Sequence, residues 1–262
     1  MINIPALRLA LQQFQTAGPF PHCVVDDFFE PAVAQQLAAE FPAYEDPRWF
    51  VYRNALEDKK ALNDWNAFTP LTYRSLNLLN SPAFVAELAA SLGCALQADS
   101  GLHGGGWHIH ASGGNLNPHL DYSIHPKLGL QRKLNLIVYL SPQLQPEHGG
   151  HLGFWQHDAA NQTPGALAQE ITPRFNRAVL FDTTQNAWHG MSRPLLCPPD
   201  VFRQSLAVYY LCQPEADAPP RARALYAARE AQKGDAEIAE LIARRADVRD
   251  SIQVYRRFES QK

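Results

Sequence analysis

The chain has 262 residues, 46% hydrophobic and 19% charged, an ordinary globular composition with room for one large β-rich domain or two small ones. A formal net charge of −3, with acidic residues interleaved among the basic ones between Arg221 and Arg257, argues against a nucleic-acid or membrane-surface binder. No apolar run approaches the roughly 18 residues of a membrane span, residues 1–5 lack a signal-peptide pattern, and Cys23, Cys94, Cys197 and Cys212 show no close CxxC spacing, so a soluble protein of the reducing cytoplasm is expected.

Leu7, Leu11 and Phe14 recur at helical spacing, and Gly18-Pro19 breaks that helix. His22 to Phe29 reads as a short strand entering a turn, and Pro31 to Phe41 as a helix with Val33, Leu37 and Phe41 on one stripe. Residues 42–70 carry aromatic and charged side chains without a clean period, which suits either a lid over an active site or an aromatic-pinned surface loop. Ser81 to Leu92 predicts a helix, with Ser81 as N-cap, Pro82 at the first helical position and Gly93 at the exit.

Strand character follows. Trp107 to Ala111 alternates, so His108 and His110 share one face and Trp107 and Ile109 the other. Residues 112–115 turn the chain into Leu116 to Tyr122. Further strands are expected at Arg132 to Leu140, after His148, at Ala178 to Phe181, around Trp188 to Gly190, and at Arg203 to Leu211. Short strands at this frequency, punctuated by Gly and Pro, indicate a sandwich or jelly roll. From Pro219 two helices are predicted, Arg221 to Gln232 and Asp235 to Ala246, buttressing the sheet from outside.

His119-Leu120-Asp121 places an imidazole and a carboxylate on one face of an extended segment, because strand side chains alternate. With the distant His189 they make a 2-His-1-carboxylate set, the ligand pattern of non-haem Fe(II) oxygenases. Arg203, opening the last strand, is placed to hold an acidic co-substrate by a bidentate contact.

Four stretches carry a family resemblance: NPHLDYS, RKLNLIVYLSP followed by HGGHLGFW, RAVLFDTTQNAWHG, and RQSLAVYYL. In this order they resemble the 2-oxoglutarate- and Fe(II)-dependent dioxygenases of the prolyl 4-hydroxylase type, in particular bacterial members. The resemblance implies a mainly β fold with flanking helices around a double-stranded β-helix (jelly-roll) core, organised as one domain. Residues 1–98 would supply helical support and either the lid or the surface loop of 42–70, 99–213 the catalytic core, and 214–262 C-terminal helices.

The resemblance also implies that His119, Asp121 and His189 hold Fe(II). Arg203 and Ser205 fall on the positions that hold the distal carboxylate of 2-oxoglutarate, Tyr139 on a tyrosine that also reaches it, and His110 near another cosubstrate contact. The interval from His189 to Arg203 is longer than usual, and its insertion RPLLCPPDV makes Arg193 a rival for the anion-binding role. Tyr122, Asn135, Trp188 and His108 are candidate substrate contacts; the other histidines read as structural or solvated. The implied activity hydroxylates an unactivated C–H of an amino acid, a peptide or protein side chain, or a related small metabolite. O2 is consumed, succinate and CO2 are co-products, and ascorbate serves as reductant. Halogenating relatives replace the iron-binding carboxylate with a small residue, so Asp121 implies hydroxylation. A non-enzymatic jelly-roll binding protein and a cupin-like metalloenzyme without 2-oxoglutarate are the alternatives.

Overall fold

The computed structural model describes residues 1–250; the remainder of the C-terminal stretch expected as helical lies outside the described residues. Helix α1 (Ile4–Leu11) leads into strand β1 (His22–Val25) and helix α2 (Pro31–Ala39). A hairpin of β2 (Phe50–Arg53) and β3 (Glu57–Leu62) precedes helices α3 (Pro70–Leu79) and α4 (Pro82–Leu92). Then come β4 (Gln97–Ala98), β5 (Gly106–His110), β6 (Asn115–Leu116), β7 (His119–Leu120) and β8 (Gln131–Tyr139). They are followed by β9 (Leu152–Asp158), β10 (Thr163–Ile171), β11 (Ala178–Asp182), β12 (His189–Met191) and β13 (Arg203–Cys212). β14 (Leu225–Tyr226) and α5 (Ala236–Ala246) close the described chain.

Among the described residues the strands form two sheets. One is nine-stranded, ordered β1-β11-β8-β13-β5-β3-β2, with β4 and β6 attached at its side; the other is five-stranded, ordered β10-β9-β12-β7-β14. Among the described residues the strand pairs run antiparallel, as in a jelly roll.

Period-2 alternation then sorts the side chains of the large sheet. Leu134, Leu136 and Val138 of β8, Leu206, Val208 and Tyr210 of β13, and Trp107 and Ile109 of β5 join one buried cluster with residues of α1 to α4. Their alternates, Asn135, Ile137, Arg203, Ser205, Ala207, Tyr209, His108 and His110, line a chamber between the sheets. One face therefore binds the helices and the other carries chemistry.

The helix caps follow the expected logic. Ser81 accepts from the Phe84 amide at 3.3 Å, Pro82 opens α4, and Gly93 leaves it at φ 66°, a left-handed conformation that glycine adopts without steric cost. Asp235 caps α5 by accepting from the amides of Glu237 and Ile238.

Two expectations need correction, and one helix was not foreseen. Residues 50–62 are not irregular: β3 pairs with β2 and β5 and so extends the large sheet, and its Lys59 lines the chamber. Helix α3, unpredicted, is capped from a distance, because the Glu40 carboxylate accepts from the Thr72 amide at 3.0 Å and stands at the positive helix end. Residues 221–232 are not an α-helix, and only Glu230–Gln232 make a 3-10 turn. Leu225 and Tyr226 pair with Leu120 and His119, and Ala227 donates its amide to the Pro118 carbonyl, so sheet pairing overrides local helical preference. Strands thus come from both flanks of 99–213: β1 to β4 before it and β14 after it.

No helix among the described residues is long and apolar enough to cross a membrane. The four cysteines are unpaired.

Candidate active site

His119 on β7 and His189 on β12 face each other in register across the small sheet, and Asp121 follows one step beyond β7. One ligand atom from each lies within 4.8 Å of the others, and all three residues are buried. His119 Nε2 stands 3.8 Å from Asp121 Oδ1, and His189 Nε2 stands 3.9 Å from Asp121 Oδ2.

The backbone sets the tautomers. His119 Nδ1 donates to the Asn117 carbonyl at 2.9 Å and His189 Nδ1 to the Ala187 carbonyl at 2.8 Å, which turns both Nε2 lone pairs into the chamber. Burial, then the neighbouring His189, pushes His119 down to about 3, and burial likewise lowers His189, so both rings are neutral ligands. Burial opposes ionisation of Asp121, but Arg132 and the two histidines outweigh it and hold the carboxyl well below its ordinary range. Its Oδ2 is buried, with the Arg132 guanidinium 3.1 Å away. Two imidazole lone pairs and an anionic oxygen converging in a dry site fit a divalent cation, and the absence of thiolate suits Fe(II).

Close backbone approach keeps the two ligand strands together. A Cβ on Gly190 would stand 2.6 Å from the Asn117 carbonyl oxygen and 2.8 Å from that of Leu116. Arg229 ties the same segments by donating to Asn115 Oδ1, Asn117 Oδ1 and the carbonyls of Leu116, Met191 and Ser192. Gly190→Ala should force β12 away from the turn before β7, at a cost of about 1–3 kcal/mol. We expect a lower melting temperature and weaker retention of metal on dialysis; a variant matching wild type in both would show that the approach is not needed.

Arg203, expected as the anion holder, is buried and lines the chamber. Its Nε donates to the Gly150 carbonyl at 2.7 Å and its Nη2 to Tyr139 Oη at 3.3 Å, and no carboxylate among the described residues lies within 4 Å of it. A buried guanidinium without a counter-ion is costly, so the site is built to receive an anion. Ser205 sits two residues on along the same strand face, opposite Tyr139 on β8 and His108 on β5. His110 is buried with neither ring nitrogen partnered, and Asn135 Oδ1 is unpartnered as well; both line the chamber. Arg193, by contrast, is exposed and lies outside this lining.

Around the mouth, an outer cavity of ≈ 410 Å³ shares His108, His119, Asp121, Lys59 and Tyr209 with the chamber. Tyr122 lines it, with its hydroxyl buried and unpartnered. Trp188 does not. It lies on the opposite face from His189, packs with Leu120 and Trp155, and donates Nε1 to His157 at 3.1 Å, so its expected substrate contact is corrected to a packing role.

Several residues of the site escaped the sequence reading. Arg132 lies between the rings of Tyr122 and Tyr209, 3.7 and 3.5 Å from their centroids, with Nη1 3.1 Å from Asp121 Oδ2. Tyr226 stacks on His119 with centroids 5.1 Å apart and donates its hydroxyl to Glu57 at 2.8 Å. Arg245 of α5 reaches the same Glu57 at 3.0 Å. His103, expected to be structural or solvated, lines the outer cavity.

Residues 105–211 match the family model of the 2OG-Fe(II) oxygenase superfamily. No curated protein matches the chain in sequence. Among solved structures, a prolyl-4-hydroxylase from Pseudomonas putida superposes with a TM-score of 0.58 at 15% identity, covering 79% of this chain and 100% of that one. A prolyl hydroxylase from Trichoplax adhaerens, solved with a hypoxia-inducible-factor peptide, gives 0.56 at 15% identity over 80% and 90%. HygX from Streptomyces hygroscopicus, solved with nickel, 2-oxoglutarate and hygromycin B, gives 0.51 at 17% identity over 78% and 87%. The jelly-roll core is shared with all three, and residues 105–211 are the part of this chain that matches the 2OG-Fe(II) oxygenase superfamily.

Proposed function

We infer that the chain is an Fe(II)- and 2-oxoglutarate-dependent dioxygenase that hydroxylates an unactivated C–H of an amino acid, a peptide or protein side chain, or a related small metabolite. The observation that carries this reading is the facing of two groups across one buried chamber: His119, Asp121 and His189 on one side, and the counter-ion-free Arg203 on the other. Iron, when bound, supplies the coupling of O2 reduction to decarboxylation of 2-oxoglutarate, with one oxygen atom entering succinate and the other the substrate C–H.

The protein's own groups position and shield. His119, Asp121 and His189 would hold the metal, and Arg203 lines the same chamber. Arg203, with Tyr139 and Ser205, holds the distal carboxylate of 2-oxoglutarate, and His110 donates or accepts along its length. Asn117 and Ala187 keep the two ligand rings turned inward through their carbonyls. Tyr122, Asn135 and His108 are the substrate contacts that the two cavities support. The peptide beside the Trichoplax enzyme and the hygromycin B beside HygX make either a peptide or a small molecule a reasonable partner class. Four unpaired cysteines suit a cytoplasmic setting.

The test is stoichiometric: anaerobically loaded enzyme is given O2 and 2-oxoglutarate, and succinate is measured. Succinate formation that requires both Fe(II) and O2 supports the reading. Turnover without O2, or none with Fe(II) demonstrably bound and candidate substrates present, overturns it.

A further inference from the structure

Among the described residues, the outer cavity is lined by more basic than acidic side chains. Lys59, Arg132, Arg223 and Arg245 line it, against Glu57 and Asp121. Arg132 is matched to Asp121 at 3.1 Å and Arg245 to Glu57 at 3.0 Å. Lys59 stands 3.7 Å from Glu57, beyond hydrogen-bonding distance, on a carboxylate that Arg245 and Tyr226 already hold. Arg223 has no ion pair among the described residues, and its Nε is buried without a hydrogen-bond partner. Loading with Fe(II) and 2-oxoglutarate leaves the surplus in place, since two positive and two negative charges enter together. The histidines of this wall do not add to it, because burial, before any other cause, pushes His103 down to about 4 and His108 to about 3.

A half-buried guanidinium such as that of Arg223, without an ion pair among the described residues, is expensive to keep, and it is kept where an anion is to be received. Asp121 and His119 form part of the same cavity wall, so an anion held by Arg223 shares its cavity with the metal site. Tyr52, Tyr122 and Tyr209 supply flat surfaces along the way. We propose that the primary substrate is a small acid whose carboxylate is seated on Arg223, with Lys59 as the second cation of the same wall, and that Arg223 selects free acids over neutral or capped compounds. This deepens the dioxygenase reading and rests on it.

Binding can be read without turnover. Protein loaded with Ni(II) and 2-oxoglutarate is melted against the twenty free L-amino acids and benzoate, each paired with its carboxamide. At least one free acid should raise the melting temperature while its carboxamide does not. Arg223→Ala should weaken that acid about tenfold or more, Arg223→Lys should restore part of the effect, and the shift caused by 2-oxoglutarate itself should persist in both. Arg223 is partly solvent-exposed, so these variants are expected to fold. If carboxamides stabilise as well as free acids, if no acid stabilises, or if Arg223→Ala binds the acid unchanged, the proposal is overturned. Failure of 2-oxoglutarate to shift the wild-type melt would instead count against the dioxygenase reading.

Discussion

Asp121→Ala is expected to lose metal-dependent turnover by more than about 100-fold, the range already reached when groups that merely orient metal ligands are removed. Asp121 is the only anion of the three-residue set, and its Oδ2 faces His189 while Oδ1 faces His119. The same substitution leaves the Arg132 guanidinium between two tyrosine rings without its carboxylate, a change that costs about 3–5 kcal/mol when the pair is buried. Asp121→Asn keeps the shape and separates the two effects. It should melt closer to wild type than the alanine variant, yet bind Fe(II) poorly and turn over negligibly. Succinate release and iron content measured on both variants check this; full hydroxylation by either would remove Asp121 from the ligand set.

Arg203→Ala should weaken 2-oxoglutarate by about 2 kcal/mol or more, close to thirtyfold, because a charge-assisted contact in a dry site is lost. Metal retention should be unaffected, since Arg203 touches Gly150 and Tyr139 rather than a ligand. Arg203→Lys should recover only part, as an ammonium cannot reproduce the two-pronged contact. The check is the KM for 2-oxoglutarate alongside iron content. An unchanged KM would return attention to Arg193, despite its exposed position outside the chamber.

How much of this was readable beforehand depended on which face a residue serves. In β13 the apolar alternates Leu206, Val208 and Tyr210 make an obvious strand, and Arg203 and Ser205 stand out as polar exceptions on its other face. In β3 the pattern is inverted. Glu57, Lys59 and Ala61 point into the cavity, so a strand that carries charged groups inward reads as a polar loop. Residues 221–232 misled in the other direction. Their helix-forming composition yields to pairing of Leu225 and Tyr226 with β7, a long-range contact that no local pattern contains. Arg132, Tyr226 and Arg245 were missed for the same reason, since each acts on a residue distant in sequence: Asp121, His119 or Glu57. The helix cap Ser81, whose signal is local, was read correctly, and Asp235, read as the first residue of its helix, stands one position earlier as the cap. Trp188 shows the limit of adjacency, for a neighbour of His189 in sequence faces the other way in a strand.

Anaerobic titration of the Fe(II)-loaded protein with 2-oxoglutarate, followed in the visible range, addresses metal and cosubstrate together. Chelation of the metal in one chamber with Arg203 predicts an iron-to-ligand charge-transfer band that saturates in wild type, is absent in Asp121→Asn, and needs far more 2-oxoglutarate in Arg203→Ala. Bound iron with no band at any 2-oxoglutarate concentration would contradict the dioxygenase assignment.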